Sequence, residues 1–382
     1  MENPRQKQPA SRFWSYVTQT VEPYVPGEQP RERLIKLNTN ENPYPPSPAV
    51  AAALRNIDPA RLRLYPDPSS LLLRQSIGAY YNLAENQIFC GNGSDEILAF
   101  CFQAFFNPAG LPDSKVAAPN EQIVFPDVTY SFYPVYAHRY DIPYRTVNLL
   151  PDLSMPLADL MAPSAGIILA NPNAPTGMGL PLTTLAQIAA SDPDRLIIID
   201  EAYIDFGGET AVPLLEEYDN ILIVQTFSKS RSLAGMRLGF ALGAPALISG
   251  LERIRDSFNS YTVDYISQIT GIAAMNDGAW FEETRSRIIA TREKSAAALA
   301  QLGFEVVSSQ ANFIFARHPQ HTGRFLQQSL RERGILVRRF NQQRITDYLR
   351  ISIGTEPEMQ TLAEALGAII ASPVAGASEP TL

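Results

Sequence analysis

Four short apolar runs limit the folds open to this chain more than any other feature of its sequence. They are QIVF (122–125), GIILA (166–170), LIIID (196–200) and ILIVQTF (221–227). None alternates between apolar and polar residues, which is typical of β-strands buried on both faces in a parallel sheet covered by helices. Segments of helical composition, such as TTLAQIAA before LIIID, lie between the runs. The pattern predicts an α/β doubly wound core.

The sequence changes character after about residue 265. A long charged stretch of helical composition, FEETRSRIIATREKSAAALAQLG, precedes the strand-like pieces FEVVSSQANFIFA and YLRISIGT. We expect a large domain over residues 40–265 and a smaller α+β domain made of residues 1–39 and 266–370. Residues 371–382 include ASPVAGASEPTL, which is rich in Pro, Ser and Ala, and are predicted to be a disordered tail.

Charge and composition disfavour several classes of function. The chain of 382 residues has a formal net charge of -8 and no basic tract, so no nucleic-acid partner is expected. Its two cysteines, Cys90 and Cys101, and its three histidines lack the spacing of a disulfide framework or a metal site, and no metal is expected. No apolar run approaches the roughly 20 residues of a membrane span, and the N-terminus has no signal-peptide core. We therefore expect a cytoplasmic protein with no membrane partner.

The residues that follow the apolar runs are the candidate functional residues, because open α/β sheets bind ligands beyond the carboxyl ends of their strands. LIIID ends at Asp200 and is followed by Tyr203, GIILA continues into NPNAPTG with Asn173, and ILIVQTF leads into Ser228 and Lys229. Asn173 and Asp200 are 27 positions apart, and Asp200 and Lys229 are 29 apart. Each interval fits one strand, a crossover helix and the next strand. These side chains are predicted to meet at one edge of the sheet.

Each motif by itself also has a simpler interpretation. Lysine occurs only at positions 7, 36, 115, 229 and 294, and a lysine after a strand can be a solvated charge as well as a reactive amine. GNGSDE (91–96) matches a helix start capped by Ser94, and NPNAPTG is typical of a turn. GNGSDE is not a P-loop, because no Gly-Lys-Ser/Thr follows it, although a helix N-terminus suits a phosphate. The order and spacing of the motifs together favour a functional site.

With NPNAPTG, IDEAYIDF, TFSKSRSLAGMRLGF and LRISIGT in this order, the chain resembles the fold-type I, pyridoxal-phosphate-dependent aminotransferases of the aspartate aminotransferase superfamily. EPYVPG, KLNTNENPYPPSP, RLYPDPSS, GNGSDEIL, FPDVTYSFYPVYA and NSYTVDYISQ resemble its histidinol-phosphate branch. The similarity runs from about residue 22 to about residue 355. It implies a cofactor-binding large domain with a mostly parallel seven-stranded sheet covered by helices, plus a smaller α+β domain. The segment after the lysine, Ser230-Arg231-Ser232, departs from many relatives.

The resemblance implies that the cofactor is pyridoxal 5′-phosphate and that Lys229 is the catalytic residue. In this family the lysine forms a Schiff base with the cofactor and carries a proton between substrate and cofactor. Asp200 would pair with the protonated pyridine nitrogen and so keep the ring an electron sink. Tyr203 and Asn173 would donate hydrogen bonds to the phenolic oxygen of the ring, and Tyr130 would stack on the ring.

For the phosphate group of the cofactor, the resemblance implies binding by Ser228, by the guanidinium of Arg237 and by the main-chain amides at Ser94 and Asp95. Tyr65, in RLYPDP, matches a tyrosine that in this family reaches the phosphate from the other subunit. The resemblance therefore implies a homodimer with shared active sites.

On the substrate side, Arg350 in LRISIGT aligns with the arginine that binds the substrate's anionic group. In this branch it would hold the phosphate of histidinol phosphate and the carboxylate of glutamate in turn, because a guanidinium fork can bind either anion. Arg338 matches a second anion-binding arginine, with the adjacent Arg339 as an open alternative. Tyr24, in EPYVPG, would cover the substrate, and the segment from Asn40 to Pro43 would lie nearby.

The implied reaction converts L-histidinol phosphate and 2-oxoglutarate to imidazole acetol phosphate and L-glutamate, a step of histidine biosynthesis. An aromatic amino acid aminotransferase or a threonine-phosphate decarboxylase-like enzyme would share most of these residues, and both stay open as alternatives. A nucleotide-dependent enzyme is disfavoured because the sequence has neither a Walker lysine nor a GxGxxG motif. A non-catalytic domain of the same fold is disfavoured because the lysine is present and no DNA-binding module is fused to it.

Overall fold

The computed structural model describes residues 11–24, 26–30, 32, 34–109 and 121–371. Within these ranges the strands are β1 (Ile35–Leu37), β2 (Ile88–Gly91), β3 (Ile123–Pro126), β4 (Tyr144–Val147), β5 (Gly166–Ala170), β6 (Leu196–Asp200), β7 (Ile221–Thr226), β8 (Gly239–Gly243), β9 (Glu305–Val307), β10 (Phe313–Arg317), β11 (Ile335–Arg339) and β12 (Leu349–Ser352). The helices are α1 (Tyr16–Thr20), α2 (Pro48–Arg55), α3 (Leu71–Tyr81), α4 (Gly93–Phe105), α5 (Tyr133–Arg139), α6 (Leu157–Met161), α7 (Leu182–Ala190), α8 (Pro245–Asp256), α9 (Tyr265–Asn276), α10 (Gly278–Gln301), α11 (Gly323–Glu332) and α12 (Glu356–Ala371). Of the predicted tail, 371–382, only residue 371 lies within the described ranges.

The larger sheet has seven strands in the order β2-β8-β7-β6-β5-β3-β4. Strand β8 runs antiparallel to its neighbours β2 and β7, and every other pair of neighbours is parallel. The four apolar runs of the sequence form β3, β5, β6 and β7. The prediction of a mostly parallel seven-stranded α/β sheet is confirmed.

Both faces of the larger sheet are buried, which explains why its central strands are continuously apolar. Along β6, Ile197 and Ile199 join a core cluster with residues of α3, α7 and α9, whereas Ile198 joins a second cluster with residues of α4, α5 and α8. Successive side chains of a strand point to opposite faces, so helices are needed on both sides. Each isoleucine buried in this way contributes roughly 2 kcal/mol relative to an exposed one.

The second sheet has five strands in the order β1-β11-β12-β10-β9. Strand β1 is parallel to β11, and the other pairs are antiparallel. Its core includes Ile288 of α10, Leu326 of α11 and Leu362 of α12, so three helices cover it. The N-terminal segment thus adds a strand to this α+β unit. The domain boundaries at residues 39/40 and 265/266 stay predictions, and α9, which begins at the second of them, packs against α2 and α3.

The parallel strands of the larger sheet deliver the candidate residues to one edge. Asp200, the last residue of β6, pairs in register with Ala170 of β5 and Val224 of β7. The chain therefore leaves all three strands at the same level. In the part of the chain that is described, no helix is long and apolar enough to cross a membrane. The same residues contain no group of three or more His, Cys, Asp or Glu side chains placed to hold a metal ion.

Candidate active site

A cleft of about 480 Å³ lies beyond the carboxyl ends of β5, β6 and β7, within the usual size range of small-molecule sites. Its lining combines predicted site residues from loops of the larger sheet, from the N-terminal segment and from the second sheet. They are Tyr24, Asn40, Ser94, Asp95, Tyr130, Asp200, Tyr203, Ser228, Lys229, Arg237, Arg338 and Arg350. The structure therefore brings twelve of the predicted residues together, and their individual roles stay predictions.

Lys229 stands three residues beyond the end of β7 and is half-buried in the cleft. Its Nζ donates a hydrogen bond to the main-chain oxygen of Thr39 at 3.3 Å. The same nitrogen lies 5.6 Å from the centre of the Tyr203 ring. The amine thus points into the cleft and is not a solvated charge on the outer surface.

Asp200 is a buried carboxylate at the floor of the cleft, with 5% of its surface exposed. Its Oδ2 accepts a hydrogen bond from the Tyr133 hydroxyl at 2.9 Å, and its Oδ1 accepts one from the Ala202 N–H at 3.1 Å. Burial raises the pKa of Asp200 to about 6, and the two hydrogen bonds act in the opposite direction by stabilising the carboxylate. A cation placed beside this group would stabilise the ionised form further.

Tyr203 is held by Asn40, which connects it to the second sheet. The Asn40 side-chain amide donates to the Tyr203 hydroxyl at 2.9 Å. The main-chain N–H of Asn40 donates to Ser352 Oγ at 2.8 Å, and its Oδ1 accepts from the same hydroxyl at 2.9 Å. Asn40 has φ +56°, a left-handed conformation that asparagine tolerates better than most residues. Because the Tyr203 oxygen accepts from Asn40, its own proton can be donated into the cleft.

A second end of the cleft is suited to an anion. Arg237 Nη1 lies 3.4 Å from Ser228 Oγ, and Nη2 lies 3.3 Å from Asp95 Oδ2. Gly93 has φ +81°, and a Cβ at this position would lie 2.7 Å from Arg237 Nη2. The guanidinium can approach the start of α4 so closely only because residue 93 is glycine.

Helix α4 contributes its N-terminus to the same end of the cleft. The helix begins at Gly93 with Asn92 at the N-cap position, so Ser94 lies in the first turn and is not the cap considered from the sequence. The first main-chain N–H groups of a helix have no partners within the helix, and the helix dipole adds positive potential there. Together with Arg237 and Ser228, these groups form a donor set suited to a phosphate dianion.

Aromatic side chains form one wall of the cleft. The Tyr130 hydroxyl donates to Asp95 Oδ1 at 2.6 Å, and its ring lies edge-on to Tyr133 at 5.7 Å between centroids. Burial and then the charge of Asp95 raise the pKa of Tyr130 well above its ordinary value, so its hydroxyl keeps its proton. Tyr24 reaches this wall from the N-terminal segment, with its ring centroid 4.4 Å from that of Phe132.

Two arginines of the second sheet face the cleft from neighbouring strands. Arg338 of β11 pairs in register with Arg350 of β12. Arg350 Nη2 donates to the Asn38 main-chain oxygen at 3.1 Å, while its buried Nε donates to no described residue. Burial lowers the pKa of Arg350 from its ordinary value. A bound anion would offset the cost of burying this charge.

Arg339 is directed away from the cleft. Its Nη1 donates to Thr346 Oγ1 at 2.9 Å and its Nη2 to Asn341 Oδ1 at 2.6 Å. Arg338 lines the cleft. Consecutive residues of a strand point to opposite sides, so Arg338 and Arg339 face in different directions. The two arginines thus differ in position, and the assignment of the substrate to Arg338 stays a prediction.

Two predicted residues do not belong to the lining that the described residues form. The Asn173 amide nitrogen donates to the Val128 oxygen in the loop after β3 and to Thr176 Oγ1 in its own loop after β5, each at 3.0 Å, so both of its hydrogens are used. Tyr65 is 81% exposed and stacks on Tyr261 with 4.5 Å between ring centroids. Within one chain, Tyr65 thus lies on an outer surface.

Several residues that shape the cleft were missed by sequence reasoning. Thr39 and Gln29 line it, and Tyr133 holds Asp200. Glu41 also lines it, and it belongs to the segment from Asn40 to Pro43 that was expected nearby. Glu41 forms an ion pair with Lys36, and Lys36 also donates to Thr39 Oγ1 at 2.6 Å. The segment FPDVTYSFYPVYA is rich in aromatic residues, and the resemblance gave a role to Tyr130 within it, but nothing in the sequence indicated the role of Tyr133.

Comparisons of sequence and of fold with known proteins show which proteins this chain is similar to. The sequence pattern of the family described as aminotransferase class I and II matches residues 32–366. The chain is 52% identical over 359 residues to the histidinol-phosphate aminotransferase of Chromohalobacter salexigens, which covers 94% of this chain and 99% of that protein. It is also 52% identical over 361 residues to histidinol-phosphate aminotransferase 1 of Bradyrhizobium diazoefficiens, covering 94% of this chain and 100% of that protein. The structure of the histidinol-phosphate aminotransferase of Sinorhizobium meliloti in complex with pyridoxal-5′-phosphate aligns with a TM-score of 0.82 at 24% identity. That alignment covers 95% of this chain and 98% of the other, and it shows a common fold.

Proposed function

This chain belongs to the aminotransferase class I and II family, and we propose that it transfers the amino group of L-histidinol phosphate to 2-oxoglutarate. The products are imidazole acetol phosphate and L-glutamate, in a step of histidine biosynthesis. The observation that carries the proposal is the 52% identity, over 94% of the chain, to a protein named for this activity. The cleft supports it, because an amine, a buried carboxylate and two anion-binding ends lie in one space of suitable size.

The cofactor is pyridoxal 5′-phosphate, as in other aminotransferases of this family. The residues present fit it: Lys229 supplies an amine, Asp200 a buried carboxylate, and Arg237 with Ser228 and the start of α4 a set of donors for a phosphate. Residue 93 has a positive φ that favours glycine, and the absence of a side chain there lets the Arg237 guanidinium lie against the start of α4. When bound, the cofactor supplies an electron sink for bond breaking at the substrate's amino-bearing carbon.

The residues around the ring each have a proposed task. Lys229 holds the cofactor and moves a proton at the substrate carbon, for which its amine must spend part of the cycle uncharged. Asp200 pairs with the ring nitrogen, and Tyr133 orients Asp200. Tyr203 donates to the phenolic oxygen of the ring, because Asn40 already occupies its acceptor side.

Two further predicted contacts stay proposals. Tyr130 stacks on the ring from the aromatic wall. Asn173 would have to exchange one of its present hydrogen bonds, to Val128 or Thr176, in order to donate to the ring.

Substrate binding is assigned to the arginines of the second sheet. Arg350 and Arg338 converge on the cleft from neighbouring strands and would hold the phosphate of one substrate and the carboxylates of the other. Tyr24 closes the cleft from the N-terminal side. Both substrates of the proposed reaction are small anions, which matches a cleft with two arginines on its substrate side.

We also propose a homodimer in which Tyr65 serves the active site of the other subunit. Tyr65 is exposed within its own chain and lies beside Tyr261, and Leu62, Leu64 and Phe258 are also exposed large apolar residues of these segments. Exposed large apolar side chains that lie together are suited to an interface with a second subunit. A cytoplasmic location belongs to the same proposal.

A comparison of amino donors tests the proposed substrate. Histidinol phosphate, phenylalanine, tyrosine and threonine phosphate are each supplied with 2-oxoglutarate, and kcat/KM is measured. We expect histidinol phosphate to exceed phenylalanine and tyrosine by about 100-fold, because their single carboxylate is a weaker partner for Arg350 and Arg338 than a phosphate dianion. Threonine phosphate has the anion but not the imidazole, and we expect it to lose carbon dioxide at no measurable rate. A donor that equals or exceeds histidinol phosphate would overturn the specificity and leave the aminotransferase assignment intact.

A further inference from the structure

A side chain of the N-terminal segment binds the main chain of the proposed catalytic lysine. Asn42 Nδ2 donates to the carbonyl oxygens of Lys229 at 3.0 Å and of Ser230 at 3.2 Å. Its Oδ1 accepts from the Tyr44 N–H at 3.0 Å. Because main-chain carbonyls only accept and a main-chain N–H only donates, a single orientation of the Asn42 amide satisfies all three contacts.

The segment that carries Asn42 is fixed to the second sheet. The Asn38 main-chain oxygen accepts from Arg350, the Asn40 N–H donates to Ser352 Oγ at 2.8 Å, and the Asn40 oxygen accepts from Asn312 Nδ2 at 3.0 Å. All of these partners lie in or next to the strands that present the substrate-side arginines. Asn42 is therefore a direct link between the substrate side of the cleft and the backbone of Lys229.

The turn after Lys229 is also anchored from the opposite side. Ser230 Oγ donates to the half-buried carboxylate of Asp205, in the loop after β6. Arg231 donates to the Ala274 oxygen at 2.7 Å, and its guanidinium lies 4.2 Å from the centre of the Phe281 ring. The turn is thus held by the loop after β6 and by α9 and α10 on one side and by Asn42 on the other.

We propose that Asn42 is a positioning residue that sets where the Lys229 main chain lies relative to the substrate-side segment. This inference rests on the proposed role of Lys229. Asn42 contacts the carbonyl oxygens of the lysine turn and is assigned no contact with substrate or cofactor. Its loss leaves the amine present but misplaced, and a displacement of about 1 Å lowers the rate of a positioned reaction by about 100-fold.

The test compares two asparagine-to-aspartate substitutions. Asn42→Asp keeps the side-chain shape and the acceptor for the Tyr44 N–H, but turns a carboxylate oxygen toward two carbonyl oxygens. Asn220→Asp is the matched control, because Asn220 Nδ2 likewise donates to main-chain carbonyls, those of Ala189, Asp192 and Arg195, away from the cleft. Both variants lose stability for the same reason, and only the first touches the lysine turn.

Two measurements separate positioning from a loss of stability. In the protein loaded with pyridoxal phosphate, we expect Asn42→Asp to lower kcat by about 10- to 100-fold. KM should change less than about threefold, because the arginines that bind substrate stay in place. In the cofactor-free protein, the rate at which pyridoxal and cyanoborohydride alkylate Lys229 is followed by peptide mass spectrometry. We expect a slower rate for Asn42→Asp and an unchanged rate for Asn220→Asp.

The proposal is overturned if Asn42→Asp keeps the wild-type kcat and alkylation rate, or if Asn220→Asp loses as much of both. Should Asn42→Asp not fold, Asn42→Ser is measured in the same way, because serine can retain the turn at Tyr44 but is too short to bridge two carbonyls. A Lys229→Ala arm distinguishes the two levels of inference. Activity in that variant would refute the proposed function, whereas an inactive Lys229→Ala protein beside an unaffected Asn42→Asp protein would refute only the role of Asn42.

Discussion

At the scale of single residues, the proposed activity depends first on the amine of Lys229. We expect Lys229→Ala to abolish transamination while Ser228 and Arg237 still bind the cofactor non-covalently. Turnover with histidinol phosphate and the visible absorbance of the bound cofactor measure the two effects. The control is Lys294→Ala, which removes an exposed lysine paired with Glu356 and should leave turnover unchanged. Near-normal turnover in Lys229→Ala would refute the assignment of the whole cleft.

Asp200 gives the site a pH dependence whose sign follows from its burial. In the cofactor-free protein the pKa of Asp200 is raised to about 6, so the carboxyl is largely neutral below that pH. The neutral form must lose a proton before it can pair with a cationic ring nitrogen. We therefore expect this residue's contribution to cofactor affinity to grow by up to about tenfold per pH unit up to pH 6 and to level off above it.

The comparison of wild type with Asp200→Asn isolates that contribution. Both proteins are stripped of cofactor and titrated with pyridoxal phosphate between pH 5 and pH 8. The ratio of their affinities cancels the titration of the cofactor's phosphate, which both proteins bind through Arg237 and Ser228. We also expect turnover of the variant to fall by about 100-fold or more, because a charge-assisted contact in a dry site is lost. An affinity ratio that is independent of pH would contradict the pairing with the ring nitrogen.

From the sequence pattern alone, reactive site residues could be predicted only where they stand beside a recognisable apolar run. Asp200 and Lys229 stand at or just after apolar runs, and parallel strands bring their ends to one edge. Asn42 follows no apolar run, and the resemblance placed its segment, Asn40 to Pro43, near the substrate without giving Asn42 a role. Its partners are 187 and 188 positions away along the chain, and its contact exists only because the second sheet holds the N-terminal segment over the lysine turn. Tyr133 was missed because four aromatic residues within a short segment gave no indication of which would face the carboxylate.

At the scale of elements, burial decided which strands could be predicted. Strands β3, β5, β6 and β7 have every or nearly every residue buried, and their continuous apolar runs reveal them. Strand β4 lies at the sheet edge with mostly accessible residues, so no such run is required of it. Strand β8, GFALG, contains two glycines, which favour a strand poorly by themselves. Gly239 is needed where β8 meets α4, since a Cβ there would lie 2.7 Å from the Ser94 nitrogen.

The alternation of side chains along β11 leads to a prediction about which of its two arginines binds substrate, a choice that the sequence alone left open. Arg338 faces the cleft, whereas Arg339 is bonded to Asn341 and Thr346. We expect Arg338→Gln to raise KM for histidinol phosphate and for 2-oxoglutarate by about 10- to 100-fold, because a charged hydrogen bond to each anion is lost. The affinity for pyridoxal phosphate should stay unchanged, because its phosphate is assigned to Arg237.

Arg339→Gln provides the matched control for the same substitution one residue further along the strand. We expect its kcat/KM to stay within about twofold of wild type, with a small loss of thermal stability from the bonds to Thr346 and Asn341. Steady-state kinetics with both substrates and thermal denaturation of both variants provide the measurements. Equal effects on KM in the two variants would contradict the assignment of substrate binding to Arg338 alone.

At the scale of the whole molecule, the site is assembled from parts that are remote in sequence. The lysine, the carboxylate and Arg237 come from the larger sheet, the substrate-side arginines come from the second sheet, and the segment 38–42 joins the two. The change in sequence character after about residue 265 signals a second unit, but nothing in it specifies which face meets the larger sheet. That orientation depends on long-range contacts such as Asn40 with Ser352.

Assembly of two subunits completes the site in the proposed enzyme, through Tyr65. A dianionic phosphate deep in a site gains from each additional donor, and a donor from the neighbouring subunit couples dimer formation to cofactor retention. In a two-fold dimer, each chain would give its tyrosine to the other and receive one in return. Tyr65 is exposed in its own chain, as such an exchange requires.

Complementation between two damaged proteins tests this exchange. Tyr65→Phe protein is mixed with Lys229→Ala protein, the subunits are allowed to exchange, and activity and cofactor affinity are measured. If the tyrosine crosses the interface, one site of each mixed dimer carries both substitutions and the other carries neither. A site with wild-type cofactor affinity then reappears. If Tyr65 served its own chain, each mixed dimer would hold one site lacking the tyrosine hydroxyl and one lacking the lysine. With exchange verified by mass spectrometry of differently tagged chains, absence of a wild-type site would exclude the shared active site, because no arrangement with a crossed Tyr65 leaves both sites damaged.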